Sequence, residues 1–326
     1  MRSKLSNDLV VQVIKVGVSL GILYILLAQM DWVQVWITIQ EADLFYIFLA
    51  FFAFLFIALI ETVRLQVIFY DYQMKYMQFL RLHVVGSAFG SVMPGQLGGD
   101  IYKIYAMNKQ GQGIISPILL MLLLRLIGMS VLLVAAVLAI YLHWTMLAIW
   151  IKSGFLYFNN INIYITIIAS LLILSLVIPT CAFRFAKLKL LVKSLIEKSK
   201  LMSQQVGAKI SFYSTALILV FSVIMLILRV LMFLFLVYSV GLEVRFYDML
   251  LVATLATLST VLPISFAGLG VREGLVVVLL LQFGISYESA IVVAFVSRIF
   301  MLLISLAGIV WLYSNWFVKS KLQNQQ

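Results

Sequence analysis

SVMPGQLGGD, residues 91–100, and TVLPISFAGLGVRE, residues 260–273, decide how this chain is read. Each runs in the same order: a hydroxyl residue, a valine, a long apolar residue, a proline, glycines, then charge. Proline removes a backbone donor, and glycine permits turns that other residues do not tolerate. Such broken backbone survives at membrane depth only where it is buried in protein or lines a watery cavity. The rest of the sequence makes membrane depth the setting. Of 326 residues, 64% are hydrophobic and 11% charged, with a mean hydropathy of +1.15, whereas soluble domains run at roughly 45–50% apolar.

A membrane-crossing helix needs about 20 mainly apolar residues. Six stretches qualify: 8–29, 44–63, 115–141, 162–183, 212–240 and 287–314. Helices are expected, because lipid offers no partner to an unpaired backbone and the alternation of a barrel strand is absent. The first stretch lacks a small-residue cleavage site and is followed by further spans, so it reads as a retained helix and not a removed signal peptide. A single Cys181 leaves no internal disulfide. His83 and His143 show no metal-binding spacing, and neither a nucleophile elbow nor a Ser/His/Asp set is evident. No catalytic residue, metal or other cofactor is therefore expected.

The net charge of +11 is informative through its placement. Lys and Arg gather in Arg2, Lys4 and Lys15, in Arg64 to Lys109, in the connection 184–210, and in Lys319 and Lys321; these segments, both termini included, are expected to be cytoplasmic. The intervening connections hold Asp31, Glu41 and Asp43, a lone Lys152 within 142–161, and Glu243, Arg245 and Asp248, and read as external. That distribution is topological and gives no reason to expect nucleic acid as a partner. The run KLKLLVKSLIEKSK, from Lys187 to Lys200, reads either as a helix on anionic cytoplasmic lipid or as a solvated connection.

By the same logic, 82–114 enters and leaves from the cytoplasmic side and 247–286 from the external side, each a re-entrant hairpin broken at Pro94 or Pro263. The expected fold is an all-α polytopic membrane protein with about six full transmembrane helices and two re-entrant hairpins, eight membrane segments in all. It is a single transmembrane domain, 1–326, whose halves, 1–141 and 142–326, repeat each other. Three crossings per half make the repeats inverted, a transporter signature. The prolines lie 169 residues apart; Arg125 follows Pro94 by 31 residues and Arg298 follows Pro263 by 35.

An arginine within an apolar helix costs several kcal/mol unless it meets a partner or water, with estimates from about 2.5 to more than 10. Arg125 and Arg298 each need an anion. It is either an internal carboxylate, Asp100 or Glu273, or a substrate phosphate, which a guanidinium fork suits. Lys103 and Arg272 bring further charge to the returning helices. Helix starts beside Gly98 and Gly99, or Gly268 and Gly270, would aim free N–H groups at the same anion. Glu61 and Arg64, three residues apart, read as an ion pair or a gate contact. Tyr102 and Tyr105 read as interfacial anchors, and Gly86 and Gly90 as a close-packing face.

SVMPGQLGGDIYKIYAM, LLLRLIGM, VLPISFAGLGVREG and VVAFVSRIFMLL together resemble the lysylphosphatidylglycerol synthase transmembrane-region family over essentially the whole chain. Arg64, in ETVRLQVI, stands where that family usually carries an arginine after its second helix. The resemblance implies a flippase-like protein that moves a lipid with an anionic or modified head group between leaflets. For a chain ending at Gln326 it implies a stand-alone member without the cytosolic synthase, located in a prokaryotic plasma membrane. The expected function is lipid transport through a central polar cavity. The alternatives are a membrane-embedded transferase on lipid-linked substrates, or a lipid-binding scaffold for a cytosolic, lipid-modifying enzyme. Oligomeric state is left open, a dimer included.

Overall fold

The computed structural model describes residues 17, 19–93, 97–109, 113–145, 212–261 and 268–323, with side chains described to Ser314. The described residues are helical throughout their regular structure: α1 (Ser19–Ala28), α2 (Trp32–Glu41), α3 (Leu44–Ile68), α4 (Tyr76–Val92), α5 (Leu97–Met107), α6 (Ile115–Leu142), α7 (Phe212–Ser239), α8 (Phe246–Val261), α9 (Val271–Gln282) and α10 (Tyr287–Gln323). Four stretches, Leu44–Ile68, Ile115–Leu142, Phe212–Ser239 and Tyr287–Ser314, are long and apolar enough to cross a membrane, and α1 with α2 adds a fifth if the bent pair is one span. The chain is thus an all-α polytopic membrane protein. The expected span at 162–183, the start of the one at 8–29 and the basic connection 184–210 lie outside the described residues, as do Pro94 and Pro263.

Two compact units make up the chain, Met1–Ala139 with Tyr213–Gln326, and Ile140–Phe212. In the second, the described residues are 140–145 and Phe212, comprising the end of α6, the turn at buried His143 and the start of α7.

Helix starts follow local chemistry. Asp43 caps α3 by accepting from the Phe45 N–H at 2.8 Å, and Asp31 caps α2 by accepting from Val33 and Gln34. The segment 31–43, expected only as a connection, is therefore mostly a ten-residue helix, turned 85° from α1. It buries Val35 and leaves Trp32 and Trp36 more than half exposed, the pattern of a helix lying at a membrane interface. At 25 residues, α3 is about 37 Å long, enough for a hydrocarbon core of about 30 Å. Exposed Phe48, Val134 and Val137 on α3 and α6 are what a lipid-facing surface requires.

The stretch opened by SVMPGQLGGD forms a helical hairpin of α4 and α5. Its arms run antiparallel: Gly99 faces Gly86, Gly98 faces Phe89, and the Tyr102 ring stacks on Phe89 with centroids 5.0 Å apart. A Cβ on Gly98 would collide with the Phe89 carbonyl oxygen, and one on Gly99 would stand 2.6 Å from that of Gly86. Only glycine fits, because the obstacle is backbone. Gly98→Ala should lower stability by about 1–3 kcal/mol or more, the range for forced overpacking. Thermal unfolding of the purified protein would read it, and an unchanged midpoint would mean the arms separate freely.

The second broken stretch lies between α8 and α9, which pack on each other, and α9 packs on α10. Gly268 and Gly270 both adopt positive φ, 75° and 83°, and so turn the chain into α9 where other residues would be strained. α10 then lies along α4, close enough that Ser305 donates to the Ser87 carbonyl at 3.3 Å. Tyr287 ties its other end to α1 by donating to the Leu26 carbonyl at 2.8 Å.

Candidate functional site

Between these helices lies a cavity of about 350 Å³. Its charged lining comes from five helices: Glu61 and Arg64 on α3, Asp100 and Lys103 on α5, Arg125 on α6, Arg229 on α7 and Arg298 on α10. Five cations at membrane depth need explaining one by one, because each is costly there without a counter-charge.

Three are paired. Arg125 Nη1 donates to Asp100 Oδ2 at 2.7 Å, joining α6 to the returning arm of the first hairpin. The two side chains remain 26% and 30% exposed, so this pair opens on the cavity. Arg298 donates to Glu273 Oε1 through Nε at 2.7 Å and Nη2 at 2.6 Å, and its Nη2 also meets the Gly268 carbonyl at 3.1 Å. Glu273 is only 1% exposed and fully used: Oε2 accepts from the Gly270 N–H at 2.8 Å, and Arg272 Nη1 approaches Oε1 at 3.3 Å. Both pairs span the same sequence separation, 25 residues. The same device thus fastens each returning arm to the helix that follows. The third pair is local, Arg64 Nη1 to Glu61 Oε2 at 2.7 Å, with Arg64 Nη2 donating across to the Leu124 carbonyl at 3.2 Å.

Two cations have no such partner. Lys103 and Arg229 make no hydrogen bond and no ion pair among the described residues. The Lys103 stem packs on Gly86, where an added Cβ would come 3.1 Å from its Cε. Among the described residues, buried Nδ1 of His83 and Nε of Arg64 likewise have no hydrogen-bond partner.

Of the residues expected at the site, Gly99, Asp100, Lys103, Arg125, Arg298, Glu61 and Arg64 line the cavity. Glu273, Arg272, Gly268 and Gly270 sit beneath Arg298, with Arg272 over the Phe233 ring at 5.7 Å, and Gly98 packs the hairpin. Tyr102 and Tyr105 are hairpin side chains, Tyr105 carrying the Lys109 ammonium over its ring at 4.7 Å. Glu61 and Arg64 form the expected ion pair and also face the cavity. The sequence reading missed Arg229. A signal existed: it is a lone arginine in MLILRVLMF, 34 residues before Pro263, much as Arg64 stands 30 before Pro94.

Chemically, the arrangement suits binding of an anion. Guanidinium and ammonium donors in a low-dielectric setting attract oxyanions strongly. Among the described residues no group of three or more His, Cys, Asp or Glu side chains is gathered as a metal site would require.

Fold and site together define a polytopic helical membrane protein with a cation-lined cavity between broken and continuous helices. The chain belongs to the lysylphosphatidylglycerol synthase TM region family, whose pattern it matches over residues 12–308. No curated protein and no solved structure matches it. Membership makes it a membrane protein of a kind related to lipid handling.

Proposed function

We propose that the protein transports an anionic, phosphate-bearing lipid between leaflets, passing the head group through the cavity while the tails stay in lipid between helices. The observation that carries this reading is the cavity itself: five cationic side chains facing one space within apolar helices. A volume of about 350 Å³ suits a hydrated head group, given about 30 Å³ per water in the liquid. Arg125 and Arg298 bind the phosphate in transit, and Asp100 and Glu273 reclaim them when it leaves. The two halves act as inverted repeats, a reading supported by the equal spacing of their ion pairs. The protein sits in a prokaryotic plasma membrane with both termini cytoplasmic, and membrane lipids are its partners.

The test is leaflet redistribution of head-group-labelled phosphatidylglycerol, phosphatidate and polyisoprenyl phosphate in liposomes holding the purified chain. Wild type should move at least one of them, and Arg125→Ala, whose pair is more solvated than that of Arg298, should reduce the rate at least tenfold. Failure of wild type on the whole panel would remove the transport reading.

A further inference from the structure

We propose that Lys103 and Arg229 form the resting anion subsite of this cavity, and that it selects a head group carrying two negative charges. A terminal lipid phosphomonoester or a diphosphate fits; a net-positive aminoacyl head group does not. The inference rests on the transport reading for its lipid, but its own support is the pairing pattern.

Arg125, Arg298 and Arg64 each hold a carboxylate at 2.6–2.7 Å. Those charges are compensated before any ligand arrives. Among the described residues Lys103 and Arg229 have no such carboxylate, although they come from different helices, α5 and α7, and line one cavity. Both lie in electrostatic reach of Glu61, whose carboxylate Arg64 already occupies, and Arg229 is repelled by Arg64 as well. The position three residues before Arg229, which would place an acid as Glu61 is placed for Arg64, holds Leu226. Leu226 lines the cavity too, so no second carboxylate is supplied from that helix face.

Two uncompensated cations sharing a membrane-embedded space are costly in the empty protein. Maintaining both makes sense only if a ligand supplies the missing charge. A phosphodiester supplies one. A phosphomonoester, with a second pKa near 6, supplies about 1.5 to 2 at neutral pH, and a diphosphate at least as much. Arg229 contributes a planar fork for two phosphate oxygens, and Lys103 a compact charge whose stem is held by Gly86. A cationic head group would instead face an unrelieved pair of like charges.

The test titrates the purified full chain in neutral detergent with short-chain phosphatidate, short-chain phosphatidylcholine and inorganic phosphate, reading binding by intrinsic tryptophan fluorescence. Wild type should bind phosphatidate at least tenfold more tightly than phosphatidylcholine. Lys103→Gln with Arg229→Gln should abolish that preference, while Lys103→Arg and Arg229→Lys keep most of it. Ligand-free Arg229→Gln should melt at or above wild type, since it removes an unpaired cation; a structural arginine would give a lower midpoint. Retained preference in the double variant, or unfolding of Arg229→Gln, overturns the proposal. Inorganic phosphate binding as tightly as phosphatidate keeps the subsite and assigns it to a free oxyanion, removing the lipid reading beneath it. Lipid movement in liposomes without a phosphatidate preference would sink this inference and leave transport standing; the reverse pattern would sink transport and leave the subsite.

Discussion

Arg298→Leu should destabilise the protein by about 3–5 kcal/mol, the usual consequence of stripping one partner from a buried ion pair. The reason lies in Glu273, which is 1% exposed and loses both of its short contacts to Arg298, at 2.6 and 2.7 Å. Arg272 stays at 3.3 Å and Gly270 still donates at 2.8 Å, so the loss should fall toward the lower end of that range. Adding Glu273→Gln to Arg298→Leu should restore part of the stability, because the stranded charge goes with it. Thermal unfolding in detergent, compared across the three variants, reads the effect. An unchanged midpoint in Arg298→Leu would show that Arg272 and the Gly270 N–H satisfy Glu273 without Arg298. The same reasoning makes Arg298 a poor choice for probing transport and Arg125 a good one.

Asp100→Asn should tighten phosphatidate binding about tenfold and slow lipid movement several-fold. The substitution keeps shape but removes the anion that occupies Arg125 at 2.7 Å. Charge-assisted hydrogen bonds contribute roughly 1.5–3 kcal/mol. With the two side chains 26% and 30% exposed, solvent screening reduces this to about 1.4 kcal/mol, a factor of ten. If Asp100 competes with the head group for Arg125, losing it should favour the bound state and hinder release. Binding and transport must then move in opposite directions. A fall in both would show that Asp100 supports the substrate or the hairpin and does not compete with either.

Much of the architecture was legible in local composition. Apolar runs of twenty residues or more marked α3, α6, α7 and α10, and the proline and glycine blocks marked the breaks between α4 and α5 and between α8 and α9. The anion for Arg125 and Arg298 was left open between Asp100 or Glu273 and a substrate phosphate; the structure joins each arginine to the carboxylate 25 residues before it. The helix at Trp32–Glu41 was less legible, because its start depends on a single capping aspartate and its exposed tryptophans resemble those of a loop. Arg229 was overlooked because it precedes its broken stretch, whereas Arg125 and Arg298 were picked out as the arginines that follow each proline.

Sequence alone determined that this chain is helical and membrane-embedded, and where its helices break. Hydropathy, backbone hydrogen bonding in lipid and the conformational limits of proline and glycine are local constraints that neighbouring residues satisfy or violate. Tertiary structure alone decided which charges are satisfied. The local pair of Arg64 and Glu61 was legible from its spacing. Arg125 and Arg229, however, are both lone arginines in apolar helices, yet one holds Asp100 of α5 at 2.7 Å, and the other, among the described residues, faces the cavity with no ion pair or hydrogen bond. Pairing is set by what other helices bring within about 4 Å, a distance that spacing along the chain does not encode.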